Sequence, residues 1–110
     1  FFQAELEYPP DNLVQKGMDR PGTLAALAAA LSELAALPMF EHQPMEESLR
    51  AAATRLDVSP RQFFGALRVA ATGRTASPPL FETMEVLGRE RVLRRIKSAI
   101  QRLGAPTNRG

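Results

Sequence analysis

Proline and glycine punctuate this chain so that only helix-length segments lie between them, and the apolar residues inside each segment repeat with a helical period. A strand buries every second residue, whereas a helix buries every third or fourth. Leu24, Leu27, Leu31 and Leu34 recur at that spacing, with Thr23 expected as the N-cap and Pro38 beyond the end. Pro44 suits the first position of a second helix, whose stripe is Met45, Leu49, Ala52 and Leu56. Glu46 and Glu47 then fall in its first turn, where the helix dipole favours them. Ser59-Pro60-Arg61-Gln62 has the form of a capping box, opening a third helix through Phe63, Phe64, Leu67 and Ala71 that Gly73 ends. Ser77-Pro78 is expected to open a fourth helix on Leu80, Phe81, Met84 and Leu87, closed by Gly88. A fifth runs from Arg89 to Leu103 on Val92, Ile96, Ala99 and Leu103, with Gly104 after it. The joints are short, so successive helices pack as neighbours. The expected fold class is all-α, a small bundle of about five helices after an irregular N-terminal linker.

That linker is the stretch 1–22, "FFQAELEYPPDNLVQKGMDRPG". Phe2, Ala4, Leu6 and Tyr8 alternate loosely with polar residues, and Pro9-Pro10 stops the pattern. Asp11 is placed to cap one short turn, and Gly17 and the Asp19–Gly22 run interrupt again. The stretch reads as the arrival from an upstream domain; residues 23–104 form the helical domain and 105–110 a disordered tail. The opening Phe1, in place of Met, fits a piece of a longer chain. At 110 residues there is material for one core, built from Leu and Ala because there are six Phe, one Tyr and no Trp. No cysteine is present, which removes disulfides, thiolate nucleophiles and Cys-ligated zinc. No apolar run approaches the roughly 20 residues of a membrane span, and no signal-peptide pattern opens the chain, so the expected location is cytoplasmic, with no membrane partner.

An enzyme would need a constellation of reactive side chains, and none is visible. His42 is the single imidazole, read as a solvated or capping loop residue. The pairs Glu46/Glu47 and Glu82/Glu85 sit at helix starts, where charge complementarity accounts for them. There is no GxxxxGK[ST] loop and no GxGxxG after a strand. Met18, Met39, Met45 and Met84 read as gap-fillers. No catalytic residue, metal or cofactor is expected in this chain.

The basic residues point elsewhere. Residues 1–43 hold Lys16 and Arg20 against six acidic side chains, a net −4, whereas residues 44–110 hold twelve basic and six acidic, a net +6. In the last helix Arg89, Arg91, Arg94, Arg95, Lys97 and Arg102 face only Glu90 as acid, with Arg91, Arg95 and Arg102 expected along one flank. A solvated helix face would show the same composition. Arg68 and Arg74, however, flank the loop 73–77, where the hydroxyls of Thr72, Thr75 and Ser77 and the Gly73 backbone are available to a nucleotide. Single-stranded RNA is read by bases splayed against aliphatic, aromatic and guanidinium surfaces, and Arg68, Ser77, Pro78 and Leu80 supply that menu.

The stretch 67–96, "LRVAATGRTASPPLFETMEVLGRERVLRRI", resembles the C-terminal signature of bacterial-type glutamyl-tRNA synthetases. Its parts are an L-R-V-A-x-T-G helix end, a short loop, S/T-P-x-L-F, then L-G-[KR]-E-R and a basic helix. The upstream segments "TLAALAAALSEL" and "MEESLRAAATRLDVSPRQFFGALR" follow the family's order with weaker motifs. No HIGH-like or KMSKS-like ATP motif is present, so the resemblance is to the anticodon-binding end alone. It implies an all-helical cage for the anticodon loop of the glutamate tRNA, in a parent enzyme that uses ATP and Mg; this fragment would carry no cofactor and stay monomeric. It also implies base contact by Arg68, with Ser77, Pro78 and Leu80 lying against the same bases. Ser77, where some members carry Thr, keeps the hydroxyl and loses a methyl. Arg74, Arg91, Arg94, Arg95 and Arg102 are assigned to phosphates on charge.

Several alternatives stay open at the level of sequence. Arg68 suits a helix-end salt bridge to Glu82 or Glu85 as well as a base contact, and Leu80 suits the core equally well. Phe81 reads as core. A helical protein–protein module, or a stand-alone paralogue that binds RNA without anticodon preference, would share the same pattern.

Overall fold

The computed structural model describes residues 8–75 and 79–104. Five α-helices follow one another: α1 (Arg20–Ala36), α2 (His42–Arg55), α3 (Pro60–Thr72), α4 (Leu80–Leu87) and α5 (Arg89–Gly104), after a 3-10 turn at Pro10–Leu13. No strand occurs among the described residues, so the fold is all-α. Of the expected alternating residues Phe2, Ala4, Leu6 and Tyr8 only Tyr8 is described, and the expected tail at 105–110 lies outside the described residues.

α5 is the hub. It packs on α1, α3, α4 and the 3-10 turn, while α2 closes the bundle against α1, α3 and α4. Its buried residues are Val92, Ile96, Ala99 and Leu103, the stripe expected from spacing. α1 meets it with small residues: Ala26, Leu27, Ala30 and Leu34 are buried, together with Thr23. The leucine stripe expected for α1 is therefore split, with Leu24 and Leu31 only half-buried at the margins. The cause is composition. α1 is apolar on almost every side, so periodicity does not choose its inner face, and the alanines win because they admit closer approach by a neighbouring helix.

The helix starts differ from expectation in three places. α1 begins three residues before Thr23, with Asp19 as N-cap accepting from the Gly22 N–H at 2.8 Å. Pro21 occupies the first turn, where a missing N–H leaves nothing unpaired. Thr23 lies inside the helix, its hydroxyl donating to the Asp19 carbonyl at 2.8 Å, which is how a buried Thr is satisfied. α2 starts at His42 rather than Pro44, which moves Glu46 and Glu47 out of the first turn. α4 starts at Leu80, after Pro79; Ser77 and Pro78 lie outside the described residues.

The α3 start is as expected. The Ser59 hydroxyl accepts from the Gln62 N–H at 3.1 Å, and the Gln62 side chain accepts from the Ser59 N–H at 3.4 Å. Gln62 also holds the N-terminal stretch, donating to the Lys16 carbonyl at 2.9 Å. That stretch belongs to the packing, since Leu13 is fully buried against α3 and α5. Farther along, α4 and α5 are joined by Gly88 alone. Its φ of 91° and ψ of 154° lie where only glycine sits without strain, and its carbonyl accepts from Val92 at 3.1 Å to start α5.

Helix ends leave carbonyls without intrahelical partners, and a nearby cation satisfies them best. α2 and α5 carry their own basic residue in the last turn, Arg55 and Arg102, whereas α1 and α3 carry none. α5 supplies both. Arg89 Nη1 donates to the carbonyls of Leu34 at 2.9 Å and Ala35 at 3.3 Å at the end of α1, with its guanidinium 5.4 Å from the Phe40 ring centre. Arg95 Nη1 donates to the Ala71 carbonyl at 2.7 Å at the end of α3. Replacing Arg89 by Met keeps the aliphatic stem and removes these bonds, so urea denaturation should show a loss of about 2 kcal/mol. The exposed Arg91→Met should stay within about 0.5 kcal/mol of the parent; equal losses at both positions would remove the capping role.

Candidate nucleic-acid interface

The end of α3 and the loop after it gather most of the residues singled out in the sequence. Gly73 stops the helix in the left-handed conformation (φ 75°, ψ 6°), its N–H donating to the Val69 carbonyl at 2.8 Å. The Thr72 hydroxyl donates to the Arg68 carbonyl at 2.6 Å and accepts from the Arg74 N–H at 3.1 Å. Two groups expected to face a nucleotide, the Thr72 hydroxyl and the Gly73 N–H, are thus used inside the turn. The backbone here bends too tightly for them to point outward. Arg74 and Thr75 are exposed beyond it.

Arg68 lies one turn before this stop. Its side chain is partly buried, and its Nε is the one buried side-chain polar atom among the described residues without a hydrogen-bond partner. The salt bridge to Glu82 or Glu85 does not form: Glu85 pairs with His42, and no carboxylate among the described residues reaches Arg68. A buried N–H left unmade costs about 1–3 kcal/mol, and with this atom closed to solvent an outside acceptor reaches it only when the side chain moves. Leu80 is only 3% exposed and belongs to the core. Phe81 packs edge-on against Phe64 at 5.1 Å, as a core-margin residue does.

The arginines of α5 divide into two groups. Arg91 and Arg94 are exposed. Arg95 turns to α3, and Arg102 lies 4.4 Å from the Tyr8 ring centre with Nη1 3.5 Å from the Tyr8 carbonyl. Burial pushes the Tyr8 hydroxyl pKa up, against a smaller downward pull from Arg102. The flank expected to present Arg91, Arg95 and Arg102 together therefore presents mainly Arg91, with Arg94 beside it on the helix.

Comparison with known proteins bears directly on this surface. A family model described as "anticodon binding domain" matches residues 1–100. The chain belongs to the anticodon-binding-domain family. It is 50% identical over 105 residues to a glutamate–tRNA ligase of Roseiflexus castenholzii, covering 96% of this chain and 21% of that protein. A glutamate–tRNA ligase of Dehalococcoides mccartyi is 47% identical over 102 residues, covering 93% of this chain and 21% of its own length. One from Mycolicibacterium smegmatis is 45% identical over 85 residues, 76% of this chain and 18% of that protein. The chain thus spans about a fifth of the length of the curated relatives it matches.

In this anticodon-binding domain the sequence alone missed Arg89 and the true partner of Arg95. The signal was available, since α1 and α3 end without a cation of their own, but only the packing says which helix supplies one. It also missed a contact between α2 and α4. His42, in the first turn of α2, donates from Nδ1 to Glu85 Oε1 at 3.0 Å across an open depression that Glu41 and Glu47 also line. Among the described residues no group of His, Cys, Asp or Glu is arranged to hold a metal ion, and no helix is long and apolar enough to cross a membrane.

The hydrogen bond to Glu85 raises the His42 pKa above its ordinary 6.5, with smaller upward contributions from the charges of Glu85, Glu82 and Glu41. A folded-state pKa above the unfolded value stabilises fully below the unfolded pKa and ceases to do so as pH rises through the folded one. The melting-temperature gap between the parent and His42→Gln should therefore be wider at about pH 6 than at about pH 8.5. A gap independent of pH would show that the imidazolium plays no part.

Proposed function

We propose that this anticodon-binding domain holds the anticodon loop of the glutamate tRNA, as one part of a glutamate–tRNA ligase that joins glutamate to that tRNA with ATP and Mg. In this reading the domain binds and does not catalyse, and it works in the cytoplasm without a cofactor of its own. The observation that carries it is the Arg68 guanidinium, held at the end of α3 with a buried Nε that no described residue accepts from. Relatives at 45–50% identity are glutamate–tRNA ligases, which supports the same choice of RNA.

Arg68 contacts an anticodon base. Ser77 and Pro78 lie against the same bases, and Leu80, with 3% exposure, seats the start of α4 beneath them. Arg74, Arg91 and Arg94, all exposed, contact phosphates. Arg95 and Arg102 lie along the same helix, and the contribution of each to phosphate binding is secondary to its hold on Ala71 or Tyr8.

Fluorescence anisotropy with a glutamate-tRNA anticodon stem-loop, and with single-base variants of it, tests the reading. Arg68→Ala should cost about 1–3 kcal/mol and relax preference at one anticodon position. Arg91→Ala should weaken every stem-loop alike and lower the salt slope by about one between roughly 50 and 200 mM. Binding that depends on salt but ignores the anticodon would replace this reading with a general RNA surface. Binding that ignores both salt and RNA sequence would favour a protein partner.

A further inference from the structure

The end of α3 is held from outside by one residue whose assignment to phosphate does not match its geometry. Arg95 is partly buried, and its Nη1 donates at 2.7 Å to the carbonyl of Ala71, the next-to-last residue of α3. Ala71 follows Arg68 by three positions, so Arg68 lies one turn before the helix end that Arg95 holds. Within that turn the Arg68 carbonyl is tied by the Thr72 hydroxyl at 2.6 Å, and the same hydroxyl takes the Arg74 N–H at 3.1 Å. Val69 and Gly73 are joined by the closing backbone bond at 2.8 Å. The Ala71 carbonyl falls among the last carbonyls of the helix, which lack intrahelical partners, and α3 has no cation in its own last turn to take it.

The guanidinium also lies at the negative end of the α3 dipole, where a charge-assisted bond is stronger than a neutral one. A helix end frays unless such bonds hold it, and a side chain one turn back moves with the backbone that carries it. From this we infer that Arg95 is a positioning residue for Arg68. It fixes the last turn of α3 so that the Arg68 guanidinium presents its donors in one orientation. The inference rests on the reading of Arg68 as a base contact.

The two roles available to Arg95 differ in what they do to binding. Loss of a phosphate contact lowers affinity for every RNA alike and lowers the salt slope by about one. Loss of a positioning residue leaves the salt slope in place and removes preference at the position that Arg68 reads. Neither effect is expected from a residue that only adds stability, which would move the melting temperature alone.

The test uses the 110-residue chain as the parent, Arg68→Ala, Arg95→Ala, Arg95→Lys and the Arg68→Ala/Arg95→Ala double variant. Each is titrated against the cognate anticodon stem-loop and single-base variants at two salt concentrations, with melting temperatures recorded alongside. Arg68→Ala should lower preference at one position by about 5- to 150-fold. Arg95→Ala should lower preference at that same position with an unchanged salt slope, and the double variant should lose little more than Arg68→Ala alone. Arg95→Lys, which keeps a charged donor and loses the planar fork, should recover part of the preference. If Arg95→Ala unfolds at the assay temperature, the comparison of Arg95→Lys with the parent carries the same test.

Uniform loss of affinity with a shallower salt slope in the Arg95 variants would return this residue to the phosphate set and overturn the inference, as would full preference with only a lower melting temperature. If Arg68→Ala itself keeps full preference, the base-contact reading fails first and the role of Arg95 falls with it. The Arg68 arm therefore tells the two failures apart.

Discussion

The bundle depends on how α5 treats its arginines. Burying Val92, Ile96, Ala99 and Leu103 sets α5 against the rest of the fold, but apolar burial is non-directional and would tolerate sliding or rotation. The guanidinium bonds from Arg89 to the end of α1 and from Arg95 to the end of α3 remove that freedom. Each needs its acceptor carbonyls in one place, so the two together set the position of α5 along both neighbours. A third contact, Arg102 over Tyr8, holds the chain's approach to the bundle against the far end of the same helix.

This division of labour changes what a basic helix means. The net +6 of residues 44–110 suggests a broad electrostatic footprint for RNA. Part of that charge answers instead to the negative ends of helices inside the protein. Among the exposed basic residues of the described structure, Arg74 in the loop and Arg91, Arg94 and Lys97 on α5 are close in sequence to the elements that frame Arg68. Arg68 itself is unlike either group, since it is partly buried and its Nε has no acceptor among the described residues. A group in that state costs the free protein more than it would cost a state that supplied an acceptor.

Two glycines shape the described parts of the joints around this site. Gly73 turns α3 into the loop through a left-handed residue, and Gly88 passes α4 into α5 in a single step. On the other side of the bundle, Asp57 takes the left-handed position after α2 with φ 61°, and the bonds from Asp57 to Thr54 and from Val58 to Ala53 complete a Schellman ending. With joints this short, helix directions follow from a few backbone angles. Arg68, Arg91 and Arg94 are consequently carried on helices whose directions the described joints help to fix.

The sequence by itself determined the helical class, the inner faces of α2, α3 and α5, the capping box at Ser59 and the glycine stops at Gly73 and Gly88, because each depends on residues within one or two turns of one another. It also carried the family resemblance, since the L-R-V-A-x-T-G and L-G-[KR]-E-R signatures are contiguous. Only the tertiary structure decided which side of the evenly apolar α1 faces inward, that Leu13 joins the core, and that His42 meets Glu85 from 43 positions away. It also sorted the arginines, giving Arg89 to α1, Arg95 to α3 and Arg102 to Tyr8. A guanidinium looks the same in sequence whether it meets a phosphate or a helix-end carbonyl. Which one it meets depends on where distant helix ends lie, and local periodicity carries no record of that.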